Sequence, residues 1–316
     1  MIKKHRLFLT LVYSTLLSPV CVSALEEVRP VAQFLRPREL HWKPTILSYH
    51  EEGVPDIVVF SEADSQGNQI PLKQINFYPR GQPHVEMDLI VLKEEDPGYK
   101  DWKNGMAPHG VCVSYYEDGK IEKVIHYDRG QLHGPVKTFY ADGSVQSEAT
   151  FNNGAREGKV VFYYENGDKK EEGYFKDGKL EGEFSKYFPN GMKSALIVYK
   201  AGVPDGMAVE WFESGVMKAC LRYVDGVLHS DGTNPAVVLY NAEQSIIEVQ
   251  DFRKGDPTGT HIKYHDNGKE LYKVSYKNGK KEAAKELETI ARANSKNNWQ
   301  FNEWLNAKTG QPMGMS

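Results

Sequence analysis

The feature that most constrains this chain is a period of 24 residues. Residues 110–229 divide without a gap into five repeats, 110–133, 134–157, 158–181, 182–205 and 206–229. A fixed period of this size belongs to arrays in which each copy is one supersecondary element that buries its apolar surface against the next. Numbered 1 to 24 from the opening glycine, the repeats share five marks. Position 1 is Gly110, Gly134, Gly158, Gly182 and Gly206. Positions 6 and 7 are an aromatic pair: Tyr115-Tyr116, Phe139-Tyr140, Tyr163-Tyr164, Tyr187-Phe188 and Trp211-Phe212. Position 10 is Gly119, Gly143, Gly167, Gly191 and Gly215, each after Asp, Asn or Ser. Position 18 is Tyr127, Phe151, Phe175, Tyr199 and Tyr223, and position 21 is again glycine.

Two short runs separated by Asp-Gly or Asn-Gly predict a β-hairpin. Each repeat is therefore expected to be one hairpin, and the glycine at position 21 is expected to turn the chain into the next. Pro189 before Asn190-Gly191 suits the second residue of a type I turn. This favours a three-residue loop closed by a left-handed glycine over a two-residue turn. Simple alternation from that loop puts Tyr115 opposite Ile121, on one side with Val113, Ile125 and Tyr127. Tyr116 then lies on the other side with Lys120 and Glu122. One face is expected to be mostly apolar and the other an aromatic row among charges.

The flanks are less regular. Residues 1–24 carry Lys3, Lys4 and Arg6, then the apolar run 7–17 and the small-residue end Val22-Ser23-Ala24. This is the pattern of a secretory signal peptide, and it places the mature chain in the periplasm, the cell envelope or the medium. Its removal leaves 36 Lys and Arg against 43 Asp and Glu, a net charge of −7. Such a chain has no bulk electrostatic reason to bind nucleic acid, and direct membrane binding is not expected apart from the signal segment. Residues 25–52 contain Pro30, Pro37 and Pro44 and read as a linker or N-terminal cap. The repeats extend over 53–282, degraded at 53–109 and 230–258 and clear again at 259–282. The fold expected is all-β, an elongated single-layer antiparallel meander of stacked hairpins. Residues 283–316 form a C-terminal cap and tail, with Ala283, Leu287, Ile290 and Ala291 at helical spacing. Cys21 leaves with the signal, and Cys112 and Cys220, four repeats apart, are expected to be free.

The aromatic pair, the Asp/Asn-Gly turn, the later aromatic and the closing glycine resemble the MORN repeat variant of bacterial proteins, including those grouped as the YwqK antitoxin family. The resemblance implies stacked hairpins that act as a scaffold or binding surface, and the antitoxin grouping implies an inhibitor that masks a partner protein.

No G-x-S-x-G, H-E-x-x-H or nucleotide-binding glycine loop is present. His261 and His265 are four residues apart with no third ligand spaced to join them. Neither an enzyme activity nor a metal or other cofactor is expected. The function expected is an exported scaffold for an unidentified protein partner. Tyr116, Tyr140, Tyr164, Phe188 and Phe212 are the candidate binding row, and the position-6 row is the structural one. The alternative is the antitoxin-like inhibitor.

Overall fold

The structure, a computed structural model, describes residues 35–282. The signal peptide expected over 1–24 and the helical cap expected over 283–316 lie outside the described residues. The described residues divide into two compact halves, which part between Ala155 and Arg156.

Both halves are antiparallel β-meanders. In the N-terminal half the strand Lys43–Tyr49 starts a series of hairpins. Pro55–Ala63, Gln69–Phe77, Pro83–Val91, Met106–Tyr115, Ile121–Asp128, Gln131–Phe139 and Val145–Asn152 follow, each paired with the one before. The C-terminal half repeats the pattern from Gly158–Tyr163 to Glu270–Lys277, with two-residue strands such as Lys179–Leu180 and Val227–Leu228 at the returns. Residues 43–49, in the segment expected as a linker or cap, are thus a paired strand.

Two kinds of turn alternate. In the first, Gly119 N–H donates to the Tyr116 carbonyl, and Tyr116 N–H donates to the Lys120 carbonyl. Gly119, Gly143, Gly167, Gly191 and Gly215 have φ between 81° and 92°. This is the three-residue loop that the sequence favours, and Cβ is disfavoured at the glycine. In the second turn both central residues are left-handed: Arg129-Gly130, Asn153-Gly154, Asp177-Gly178, Ala201-Gly202, Asp225-Gly226, Lys254-Gly255 and Asn278-Gly279. These are two-residue type I′ turns, which suit the twist of the flanking strands.

The register corrects the expected faces. Tyr115 does pair with Ile121, but Ser114 pairs with Lys123, so Glu122 at position 13 is an extra residue on the return strand. The same shift recurs at Phe162/Tyr163, Lys186/Tyr187 and Glu210/Trp211. One inserted residue reverses every side chain beyond it. Ile125 and Tyr127 therefore pair with Cys112 and Gly110, on the side opposite Val113 and Tyr115, whereas Val124 pairs with Val113. Positions 3, 5, 14, 16 and 18 share face A; positions 2, 4, 6, 12, 15 and 17 share face B.

Face A is the core of the C-terminal half. Val160, Phe175, Leu180, Phe184, Ile197, Tyr199, Ala208, Leu221 and Tyr223 are all buried there. Side-chain size is matched between neighbouring repeats. Phe184 leans over Gly173, where a Cβ would come within 2.7 Å of its ring, and its ring meets Tyr199 edge to face at 6.3 Å. The corresponding pair one repeat later is Ile197 with Ala208. A large residue on one strand thus faces a small one on the next, as close packing requires.

In the N-terminal half face B is covered by the chain itself. Leu35 packs on Val113, Tyr115 and Val124, and Trp42 packs on Val58, Phe60, Ile75 and Phe77. Beneath this cover Lys73, whose side chain has no exposed surface, holds Glu86 at 2.8 Å and Asp88 at 2.9 Å. Asp88 Oδ2 also accepts the Arg36 backbone N–H at 3.1 Å. A buried lysine is tolerable only when its charge is matched in this way.

Candidate functional site

The candidate row lies where each hairpin enters its first loop. Tyr116, Tyr140, Tyr164, Phe188 and Phe212 are all half-buried. Lys218 places them on a face. Its ammonium ion-pairs Glu210 at position 5 and lies 6.0 Å from the Phe212 ring centroid. Lys170 lies 5.8 Å from the Tyr164 ring centroid. Positions 5, 7 and 13 are therefore neighbours, and the row stands at the loop end of face A, the apolar face. The position-6 row, expected on the apolar side, stands on mixed face B. Of its members Tyr115 is buried under Leu35, whereas Phe139, Tyr163, Tyr187 and Trp211 are half-buried.

The tyrosines at position 7 have a second task. The Tyr116 hydroxyl donates to the Phe139 carbonyl at 2.7 Å, and the Tyr164 hydroxyl donates to the Tyr187 carbonyl at 2.8 Å. Each ties the mouth of its own loop to the same point of the following hairpin. Tyr78 does the same, donating to the Tyr115 carbonyl at 2.8 Å. Tyr78 is an additional member of the row that a strict 24-residue count misses. Its signal in sequence is Phe77-Tyr78 followed by Gly81, whose φ is 86°. The count fails because residues 92–105, with short 3-10 turns at Tyr99–Asp101 and Lys103–Gly105, are inserted before the next strand. The insertion is anchored by Trp102, which fills the space where Gly130 would carry a Cβ, and by the Asp96–Arg129 ion pair.

Face B of the C-terminal half carries a polar cluster. Glu172 accepts the Tyr187 hydroxyl and pairs with Lys159 at 2.9 Å and Lys169 at 3.1 Å. Burial alone would raise the Glu172 carboxyl. The Tyr187 hydroxyl and the two ammoniums outweigh it and hold the group down at about 2. Burial and the bond to Glu172 push the Tyr187 phenol up to about 12. Every member has a partner within the cluster, which is the arrangement of a structural network.

Neither histidine of the 261/265 pair is placed as a ligand. His261 is buried, with Nε2 2.6 Å from the Asp251 carbonyl and its ring between Phe252 and Tyr276. His265 opens the next loop. Among the described residues no group of three or more His, Cys, Asp or Glu could hold a metal ion. Cys112 and Cys220 are free; burial pushes the Cys112 thiol up to about 12 and raises Cys220 as well.

Comparison with solved structures gives distant likenesses. A chain of the GtfA/B complex bound to UDP and GlcNAc is 14% identical over 37% of this chain and 23% of its own, with a TM-score of 0.17. The TcdB2-TccC3-Cdc42 complex is 10% identical over 73% and 13%, also at 0.17. A porin-like protein from Bacteroides uniformis is 9% identical over 72% and 91%, at 0.18. The chain spans less than a quarter of the length of the first two, and likeness at these scores transfers neither fold nor function. No curated protein matches the chain significantly in sequence. The sequence profile of the MORN repeat variant matches residues 108–129, 132–153, 156–177 and 257–278. Each match spans the position-6 aromatic, a glycine loop and the position-18 aromatic. The chain is a β-hairpin repeat protein, four of whose repeats match the MORN repeat variant.

Proposed function

We propose that this chain is an exported scaffold that holds a protein partner on the position-7 aromatic row and performs no chemistry of its own. The observation that carries this reading is the state of the row. Its rings recur once per repeat, and none is fully buried. Tyr116 and Tyr164 are held by hydroxyl bonds to the next hairpin. Aromatic side chains dominate interface energetics, and rings already fixed in place lose little entropy when a partner arrives. The basic-apolar-small order of residues 1–24 supports export.

Two measurements test the reading. Mass spectrometry of the native N-terminus is expected to find Leu25; an intact Met1 on cytosolic protein overturns export. Phe188→Ser and Phe212→Ser remove ring surface without removing a hydroxyl bond. The double variant is expected to lose partner capture from an envelope extract while its melting temperature falls only slightly. Undiminished capture by a folded double variant overturns the row as the binding surface.

A further inference from the structure

Face B differs between the two halves. In the N-terminal half Leu35 and Trp42 lie across it and bury its apolar positions. In the C-terminal half its return end is open. Val203 is 39% exposed, Met207 40%, Val224 43% and Val227 40%. Val224 and Val227 stand opposite each other across a type I′ turn. Val203 belongs to the same surface: its Cβ would be 3.6 Å from a Cβ on Gly226 of that turn. Val198, half-buried, adjoins Gly206 beside Met207 in the same way, at 3.3 Å. Four exposed apolar side chains on two successive returns, Ala201-Gly202 and Asp225-Gly226, form one stripe. A clustered apolar surface of this kind marks a contact site rather than ordinary scattered exposure.

We propose that residues 283–316 of the same chain dock on this stripe. The described chain ends at Glu282, just after the return Asn278-Gly279, so the segment starts on the same edge as Val203 and Val227. Val227 lies two hairpins back, about 19 Å away at the ordinary strand spacing, and Val203 about 29 Å away. Trp299 is 17 residues beyond Glu282. That length spans roughly 56 Å extended and about 26 Å as a helix. Trp299 therefore reaches Val227 in either form. Trp299, Phe301, Trp304 and Leu305 match the surface in kind, since Leu35 and Trp42 close face B elsewhere in this protein. The inference concerns face B and is independent of the partner reading for the row on face A.

The test uses full-length protein with benzoylphenylalanine at Val227, and separately at Val203, irradiated over a range of concentrations. The expected product is an intramolecular cross-link to a peptide from 283–316 whose yield does not depend on concentration. Replacing Trp299 and Trp304 by serine is expected to reduce that yield at least fivefold, with unchanged circular dichroism. Cross-links to a second copy that grow with concentration overturn the proposal in favour of self-association. An absence of tail cross-links from both positions also overturns it.

Discussion

Gly173 separates two physical accounts of the core. It sits at position 16, where neighbouring repeats carry Ile125, Ala149, Ile197 and Leu221. Its φ is not left-handed, so the backbone does not require glycine there. Strand propensity alone predicts that Gly173→Ala stabilises by about 0.5–1 kcal/mol, through the lower entropy of the unfolded chain. Packing predicts the opposite. The new Cβ would lie 2.7 Å from Phe184 Cδ2 and 3.3 Å from Leu180 Cδ2, and both residues are buried. Overpacking of this kind costs about 1–3 kcal/mol, which leaves a net loss of roughly 0–2.5 kcal/mol. Phe184→Ala alone removes a fully buried ring at a cost of about 3–5 kcal/mol. The double variant Gly173→Ile with Phe184→Ala recreates the arrangement that Ile197 and Ala208 already show one repeat later. It is expected to be more stable than the sum of the single changes by at least about 2 kcal/mol. Urea denaturation of the full chain, followed by far-UV circular dichroism, measures the wild type, Gly173→Ala, Gly173→Ile, Phe184→Ala and the double variant. A stabilised Gly173→Ala variant, or an additive double variant, would refute the size-matching argument.

Tyr164→Phe keeps the ring but removes the bond to the Tyr187 carbonyl; a loss of about 1 kcal/mol in urea denaturation is expected, with partner capture retained. Ala201 is held at φ 50° while its N–H donates to Glu181 Oε2 at 2.7 Å. Asparagine tolerates that conformation better, so Ala201→Asn is expected to raise stability by about 0.5–1 kcal/mol in the same assay. Glu172 is depressed from its ordinary 4.5 to about 2. Its contribution is therefore fully present above the unfolded value of 4.5 and is lost as pH falls toward 2. Glu172→Gln should lower the melting temperature at pH 7 and flatten its fall between pH 5 and 2; an unchanged acid slope would show that the cluster is not what ties stability to pH.

Legibility from sequence varied with the range of the interaction. The 24-residue period, the hairpin in each repeat and the three-residue loop could all be read from local residues. Pro189-Asn190-Gly191 specifies that loop through dihedral preferences that need no neighbour. The position-7 residues were legible as a recurring row, but their hydroxyl bonds were not, because the Phe139 and Tyr187 carbonyls belong to the following hairpin. Phe77-Tyr78 and Gly81 keep the local marks of a repeat at stretched spacing, but the insertion 92–105 takes Tyr78 out of the 24-residue count, so its bond to the Tyr115 carbonyl was not legible.

What the sequence determined by itself is the repeating element: turn chemistry is encoded in glycine and its immediate neighbours. What only the tertiary structure decided is which side of the sheet each residue serves. The extra residue at position 13 carries no composition signal, being Glu122, Gln146, Lys170, Ser194 or Lys218. Yet it moves Ile125 and Tyr127 to the face opposite Tyr115. The cover of Leu35 and Trp42 over face B, and the burial of Lys73 between Glu86 and Asp88, likewise follow from pairing across the chain. Local conformational preference selects a hairpin, but register and the neighbour across the sheet select its inside, because a single-residue shift reverses every side chain that follows.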